Sequence, residues 1–255
     1  MSSLIGRSSG VTEQAFDADG LFDDDYLHFF AEPLEERADA ETDLIWRLLG
    51  LEPGMEVLDL ACGHGRIANR LAERGCRVTG LDATSAFLDH ARRDAAARKV
   101  PVTYVEGDMR ALPWDRRFDR VINWFTAFGY FDDEGNRRVL SEVAQVLSPS
   151  GRFGIELNNR DWIIRAFQPA SVIEREGDLV IDQRRLEPLT GRVMTERTVV
   201  RQGRVRRIPF FVRMFTFTEL RDWLLAAGFT NVTGHGEDGG PLAMDSRRMI
   251  SVAEI

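Results

Sequence analysis

A chain of 255 residues with 44% hydrophobic and 29% charged residues is long enough for one large α/β domain, and its near-average composition excludes a disordered chain, a collagen and a small disulfide scaffold. Its 33 Lys and Arg against 41 Asp and Glu give a formal charge of −8, which argues against a general polyanion binder but not against a local basic patch, so nucleic acid is not an expected partner. Cys62 and Cys76 are too few for a disulfide framework or a four-cysteine zinc site, and no apolar run has the length of a leader's core or a bilayer span. The expectation is a cytoplasmic protein with no metal and no membrane contact.

Residues 11–43 are acidic, from Glu13 to Asp43, opposed only by Arg37, whereas residues 184–213 are dense in arginine. Two readings stay open: both runs are solvated faces, or they attract each other within or between subunits. A first helix is signalled by Pro33 at its start, by Leu34, Ala38, Ile45, Leu48 and Leu49 at helical spacing, and by Gly50 as the stop. After the Pro53-Gly54 turn come strand 56–60, helix 66–74, strand 77–81, helix 85–98, strands 102–106 and 119–123, helix 133–147 and strand 152–157. Ser148 to Gly151 is read as the turn that ends the last of these helices. Strands separated by helices predict a parallel sheet with ligands at the carboxyl ends of its strands.

Beyond Arg160 the pattern changes. Segments 171–184, 192–201 and 204–215 read as extended, with turn signals at Glu176-Gly177-Asp178, Glu187 to Gly191 and Gln202-Gly203, which predicts a three-strand antiparallel insert. Thr218 is a candidate N-cap for a helix carrying Leu220, Leu224 and Leu225, and strands near 230–234 and 248–253 close the chain.

The most informative segment is Val57 to Ala68, VLDLACGHGRIA: an apolar strand ending in an acid, a Gly63-His64-Gly65 turn and an immediate helix. Glycine admits a ligand close to the backbone, and the helix start offers unpaired N–H groups. Asp82 ends the next strand, where a carboxylate pairs with ribose hydroxyls. A dinucleotide-binding domain offers much the same residues. Asp59 and Asp108 discriminate, because acids at three strand ends suit a cationic nucleoside and repel a diphosphate.

Taken in order, VLDLACGHGR, VTGLDAT, VEGDMRALPW and FDRVINWFTAFGYF resemble the S-adenosylmethionine motifs of class I methyltransferases over residues 45–160. The resemblance implies an α/β, Rossmann-like seven-stranded sheet whose last strand is antiparallel, with an inserted antiparallel β hairpin cluster. It implies a single domain over 1–255, divided into an N-terminal helical lid (11–50), a cofactor-binding core (51–160), the β insert as cap or oligomer contact (168–215) and a closing helix and strands (216–255). S-adenosylmethionine is the implied cofactor and S-adenosylhomocysteine its product. Asp59 with the backbone of Ala61, Gly63 and Gly65 would hold the methionine part, Asp82 the ribose, Asp108 with the Met109 backbone the adenine, and the Asn123 carbonyl the ammonium group. Ala61 stands where the family has a glycine, a mild change if its φ is negative, and His64 is expected to point outward.

Trp124, Phe125, Phe128 and Tyr130 follow the fourth strand, where this fold places its acceptor, and Tyr26 of the aromatic N-terminal segment would close over the site. His28 and His235 are candidate general bases for a hydroxyl acceptor, and Tyr26 is a third catalytic candidate. The motifs after the fourth strand do not resemble those of adenine-N6 or protein-arginine methyltransferases, and the cysteines are misplaced for pyrimidine-C5 transfer. The chain is similar to bacterial small-molecule methyltransferases of natural-product assembly, which implies methylation of an N or O acceptor on a small molecule by direct displacement. The insert's arginines would face solvent or a neighbouring subunit, or recognise a carboxylate or phosphate of the acceptor. A catalytically silent cofactor-binding protein, an NAD-type oxidoreductase and an RNA methyltransferase are the rival readings.

Overall fold

The computed structural model describes residues 16–115 and 118–255, so residues 11–15 of the expected lid lie outside the described residues. Seven strands, β1 (Glu56–Leu60), β2 (Arg77–Asp82), β3 (Val102–Glu106), β4 (Phe118–Asn123), β5 (Leu147–Asn158), β10 (Asn231–His235) and β11 (Arg248–Glu254), form one sheet in the order β10-β11-β5-β4-β1-β2-β3. The pairs among β1 to β5 are parallel, and β11 runs antiparallel to both of its neighbours. This is the class I methyltransferase arrangement.

Helices cover both faces because the central strands are apolar on both sides. Ile45 and Leu49 of α2 (Asp24–Leu49) and Ile67 and Leu71 of α3 (Arg66–Glu73) pack with Val57 and Ile122 on one face. Val139, Leu140 and Val143 of α5 (Asp133–Val146) and Leu220 and Leu224 of α7 (Phe217–Ala226) pack with Phe118 and Phe153 on the other. α4 (Ser85–Arg98) lies beside α3 and buries Phe87, Leu88, Ala91 and Ala95.

The insert is a second sheet of four antiparallel strands, β6 (Ala170–Arg175), β7 (Asp178–Glu187), β8 (Arg192–Arg201) and β9 (Arg204–Arg213), in that order. It has four strands and not three because the Glu176-Gly177 turn, both residues at positive φ, splits the first expected segment. Leu21 of α1 (Ala18–Leu21) and Phe29 of α2 pack on its Val180, Val199 and Ile208, so the N-terminal helices dock on the insert.

Other boundaries also move for local reasons. α2 starts at Asp24, nine residues before Pro33, because Asp23 caps it by accepting the N–H groups of Asp25 and Tyr26. Pro33 then sits inside the helix, which continues because Leu27, Leu34, Ala38 and Ile45 are buried along it. Thr216, not Thr218, caps α7 by accepting the Glu219 N–H. Ser148 to Gly151 bulge within β5, shifting its register against β4, and do not separate it from α5. A short helix, α6 (Arg160–Arg165), capped by Asn159, has no counterpart among the expected elements. No helix of the described residues is long and apolar enough to cross a membrane.

The turn from β1 to α3 depends on Gly65, which has φ +81° and lies against Ala91 of α4 and the Tyr104 hydroxyl of β3. A Cβ there would fall 2.8 Å from the Ala91 Cβ. Left-handed backbone and overpacking together should make Gly65→Ala cost about 2–5 kcal/mol, read as a lower urea midpoint; an unchanged midpoint would show that the turn relaxes freely.

Candidate active site

The parallel register of β1, β2 and β3 brings Asp59 opposite Gly80 and Asp82 opposite Glu106, so acids gather at one sheet edge. Above that edge lies a cavity of about 710 Å³ lined by Asp59, Ala61, Gly63, Asp82, Asp108, Met109, Tyr26, Trp124, Phe125 and Tyr130. Its volume lies within the roughly 300–1,000 Å³ usual for small-molecule sites.

Asp82 organises the glycine loop. Its Oδ2 accepts the Gly63 N–H at 2.7 Å and its Oδ1 the Thr84 N–H at 2.9 Å, while burial raises its pKa from the ordinary carboxylate value. Asp59 is 3% exposed, and burial, aided by the nearby Asp82 charge and opposed by Arg66, pushes its pKa up to about 7. Asp108 is held by Arg110, whose Nη2 lies 2.7 Å from Oδ2 and which keeps the carboxyl below its usual range. Ala61 has φ +59°, so alanine here is strained and is not the mild substitute for glycine that a negative φ would allow.

Two expected cofactor residues act from beneath the cavity and not on its wall. Gly65 forms the turn, and the buried Asn123 donates from Nδ2 to the Leu60 carbonyl at 2.9 Å, tying the ends of β1 and β4 together. Phe128 is core, fully buried against Phe215, and is not part of the acceptor wall. His64, expected to point outward, lines the cavity instead; its Nε2 is buried without a hydrogen-bond partner, and desolvation lowers its pKa to about 4.

The catalytic histidine candidates are elsewhere. His28 faces Asp178 of the insert at 3.2 Å, and His235 sits between the Thr233 hydroxyl and the Gly239 carbonyl on the β10 hairpin. Neither is on the cavity wall. Tyr26 is, with its ring 4.7 Å from Phe30, 5.2 Å from Phe22 and 5.7 Å from Phe87. Burial raises the pKa of both Tyr26 and Tyr130, so both hydroxyls stay protonated near neutrality.

The acidic and arginine-rich runs attract each other within the chain. Asp25 receives Arg201 at 2.9 Å and Arg206 at 3.0 Å, Glu32 receives Arg175 at 2.6 Å, and Asp23 pairs with Arg206. Further along α2, Glu35 and Asp39 clasp Arg70 of α3 at 2.7 and 2.5 Å, and Glu41 holds Arg66 at 2.5 Å. The N-terminal helices are therefore seated on the insert and on α3 by the same acidic stretch.

Sequence reasoning missed the support of the loop after β4. Phe125 and Thr126 both have positive φ, 63° and 56°, a strained pair for non-glycine residues. Buried Glu156 of β5 accepts the Phe125 N–H at 2.7 Å, and Arg248 of β11 joins the Glu156 carboxylate to the Thr126 hydroxyl, which it meets at 2.7 Å. These residues meet only through the β5–β11 pairing, so no local motif announces them.

This sheet order, with a glycine loop and acids at the ends of adjacent strands, defines the class I methyltransferase fold. Residues 57–151 match the model of a methyltransferase domain. A demethylmenaquinone methyltransferase of Thermus thermophilus is 39% identical over 118 residues, 43% of this chain and 52% of that protein. The chain spans about half the length of the first curated relatives it matches. Among solved structures, the CcbJ methyltransferase of Streptomyces caelestis superposes with a TM-score of 0.72 at 23% identity, over 85% of this chain and 88% of that one. The sugar N-methyltransferase KedS8 of Streptoalloteichus sp. gives 0.65 at 21% identity over 98% of each chain. At these identities the likeness shows the fold.

Domains of this family use S-adenosylmethionine, and the residues present fit it. Asp59 and Asp82 are buried acids that a cationic ligand with ribose hydroxyls would relieve, and the buried His64 Nε2 on the cavity wall has no hydrogen-bond partner among the described residues. Asp59 and the glycine loop would hold the amino-acid end, Asp82 the ribose, and Asp108 with Met109 the adenine.

The pKa of Asp59 has a measurable sign. A carboxyl raised to about 7 in the folded chain weakens stability as pH climbs from about 4 towards 7, and a bound ammonium group reverses this by favouring the ionised form. S-adenosylhomocysteine binding should therefore release a proton near pH 6, with affinity falling up to about tenfold per pH unit below 7. Calorimetry in buffers of different ionisation enthalpy checks this: Asp59→Asn should abolish the release, and a wild-type protein that releases none would remove Asp59 from the ammonium site.

Proposed function

We propose that this protein transfers a methyl group from S-adenosylmethionine to a nitrogen or oxygen acceptor on a small molecule, and that the preferred acceptor is an amine of sugar or natural-product type. The observation that carries the reading is the cavity beneath the N-terminal helices, which runs from the acids at the strand ends to the aromatic and polar inner face of the insert. When bound, the cofactor would supply a sulfonium methyl group whose carbon is open to the acceptor's lone pair, with the thioether of S-adenosylhomocysteine as the leaving group.

The chain's own residues would do the rest. Asp59, Asp82 and Asp108 fix one partner at the strand ends, and the strained Phe125-Thr126 turn, braced by Glu156 and Arg248, fixes the wall against which the other sits. Phe22, Tyr26, Phe30 and Phe87 exclude water and present π faces to a cation. Holding two reactants in line supplies much of the acceleration available to such a transfer.

Amine over hydroxyl follows from the groups at the acceptor end. Tyr26 and Tyr130 keep their protons at neutral pH, and Asp182 is occupied by two arginines, whereas a neutral amine attacks without help from a base. KedS8, which shares the fold, is itself a sugar N-methyltransferase, which supports the same choice. The partner this reading needs is a small molecule.

Incubation with methyl-labelled cofactor and paired acceptors, amino sugars and aromatic amines beside their hydroxyl counterparts, tests it. Label should pass to amines at least about tenfold faster than to the matching alcohols. Equal or faster transfer to the alcohols would overturn the amine preference, and binding of cofactor with no transfer to any acceptor would identify a silent binding protein.

A further inference from the structure

The cavity is electrically divided. Its floor carries the acids at the strand ends, and its roof carries Asp182 and Arg184 of β7 and Arg197 of β8, all on the cavity wall. Cross-strand pairing puts Asp182 directly opposite Arg197, and Arg184 opposite Thr195. Residues two apart on a strand share a face, so β7 and β8 present this group together towards the cavity.

The three charged residues form one bonded unit. Asp182 is 3% exposed and accepts Arg197 in a fork, Nε to Oδ1 at 2.8 Å and Nη2 to Oδ2 at 2.9 Å, while Arg184 Nη2 reaches Oδ2 at 2.6 Å. Arg184 is fixed further by Ser171 at 2.9 Å, and the Arg197 guanidinium lies between the rings of Phe30 and Phe210, 5.1 and 5.3 Å from their centres. One carboxylate between two guanidinium groups leaves a positive charge over. The Arg197 side chain is only 12% exposed, which makes that surplus costly until an anion meets it.

Donors remain to meet one. Among the described residues, Arg197 Nη1 and Arg184 Nε have no hydrogen-bond partner, and neither have the hydroxyls of Tyr26 and Tyr130 on the same wall. The free edge of a pinned guanidinium, flanked by neutral hydroxyls, matches a planar or tetrahedral oxyanion. Asp82 and, once ionised, Asp59 would disfavour the same group at the strand ends, where Asp108 is already paired with Arg110, so the cavity orients a ligand that carries it.

We propose that Arg197 and Arg184, aimed by Asp182, form a subsite for an oxyanion of the acceptor, a carboxylate or a phosphate, which turns the acceptor's reacting end towards the strand ends. The subsite deepens the small-molecule transfer reading and rests on it for its role, although anion binding is measurable without turnover. Asp182 is a positioning residue here, and the arginines make the contact.

The test uses the full chain saturated with S-adenosylhomocysteine and titrated with phenyl phosphate, benzoate and, as an uncharged control, phenol, followed by calorimetry and by the fluorescence of Trp124 and Trp162 on the cavity wall. At least one oxyanion should bind ten times more tightly than phenol, and which of the two does so distinguishes phosphate from carboxylate. Arg197→Gln should abolish that tenfold advantage while the affinity for S-adenosylhomocysteine stays within threefold. Should Arg197→Gln fail to fold, the part-exposed Arg184→Gln, which leaves the Arg197–Asp182 pair neutral, carries the same expectation. Oxyanions that bind no better than phenol, or bind the variants as they bind wild type, overturn the subsite. A wild-type chain that fails to bind S-adenosylhomocysteine defeats the cofactor reading instead, and the anion titration of the unloaded chain then decides the subsite by itself.

Discussion

The seam between the acidic N-terminal helices and the arginine-rich insert is the contact on which the site depends. Without it the cavity would be an open groove along the sheet edge, and the desolvation that raises Asp59, Tyr26 and Tyr130 would be lost. Ion pairs of this partly exposed kind contribute about 0–1 kcal/mol each, so adhesion comes mainly from Leu21 and Phe29 on Val180, Val199 and Ile208. The pairs fix which way the helices lie. A modest apolar contact steered by charge can hold a lid closed and still let it open for ligands.

Beneath the seam, a second constraint concentrates strain where chemistry is expected. Parallel strands end together, so their loops converge, and Ala61, Phe125 and Thr126 take up left-handed backbone at about 1–2 kcal/mol each. Hydrogen bonds hold the two strained turns in place: Asp82 and the Leu81 carbonyl receive the loop after β1, and Glu156 receives the loop after β4. The result is a cavity with an acidic floor, an aromatic belt and a basic roof, each contributed by a different part of the chain.

Much of the strand-end side of the cavity was legible because it is local. The strand, glycine turn and helix of residues 57–68 are contiguous, and Asp59, Asp82, Asp108 and Met109 all reach the cavity as expected. The opposite side, made by the loop after β4 and the insert, was read less well because it is assembled across long sequence separations. Glu156 and Arg248 meet through an antiparallel strand pair, and Asp182 and Arg197 through another; neither pairing leaves a periodic signal. The start of α2 was misplaced because Pro33 is a strong local mark, whereas the effective cap is Asp23, one acid among many. His28 and His235 drew attention by residue type alone, and the structure commits both to contacts outside the cavity.

The seam is tested most directly by the rate at which S-adenosylhomocysteine leaves. Stopped-flow displacement should show release accelerating as salt rises from about 50 to about 500 mM, since shortening the Debye length weakens the pairs. Arg175→Glu should speed release at low salt, and adding Glu32→Arg, which exchanges the partners of a 2.6 Å pair, should restore the slow rate. Release that ignores both salt and the charge reversal would mean that the acidic helices do not close this cavity, and the account built on their closure would be wrong.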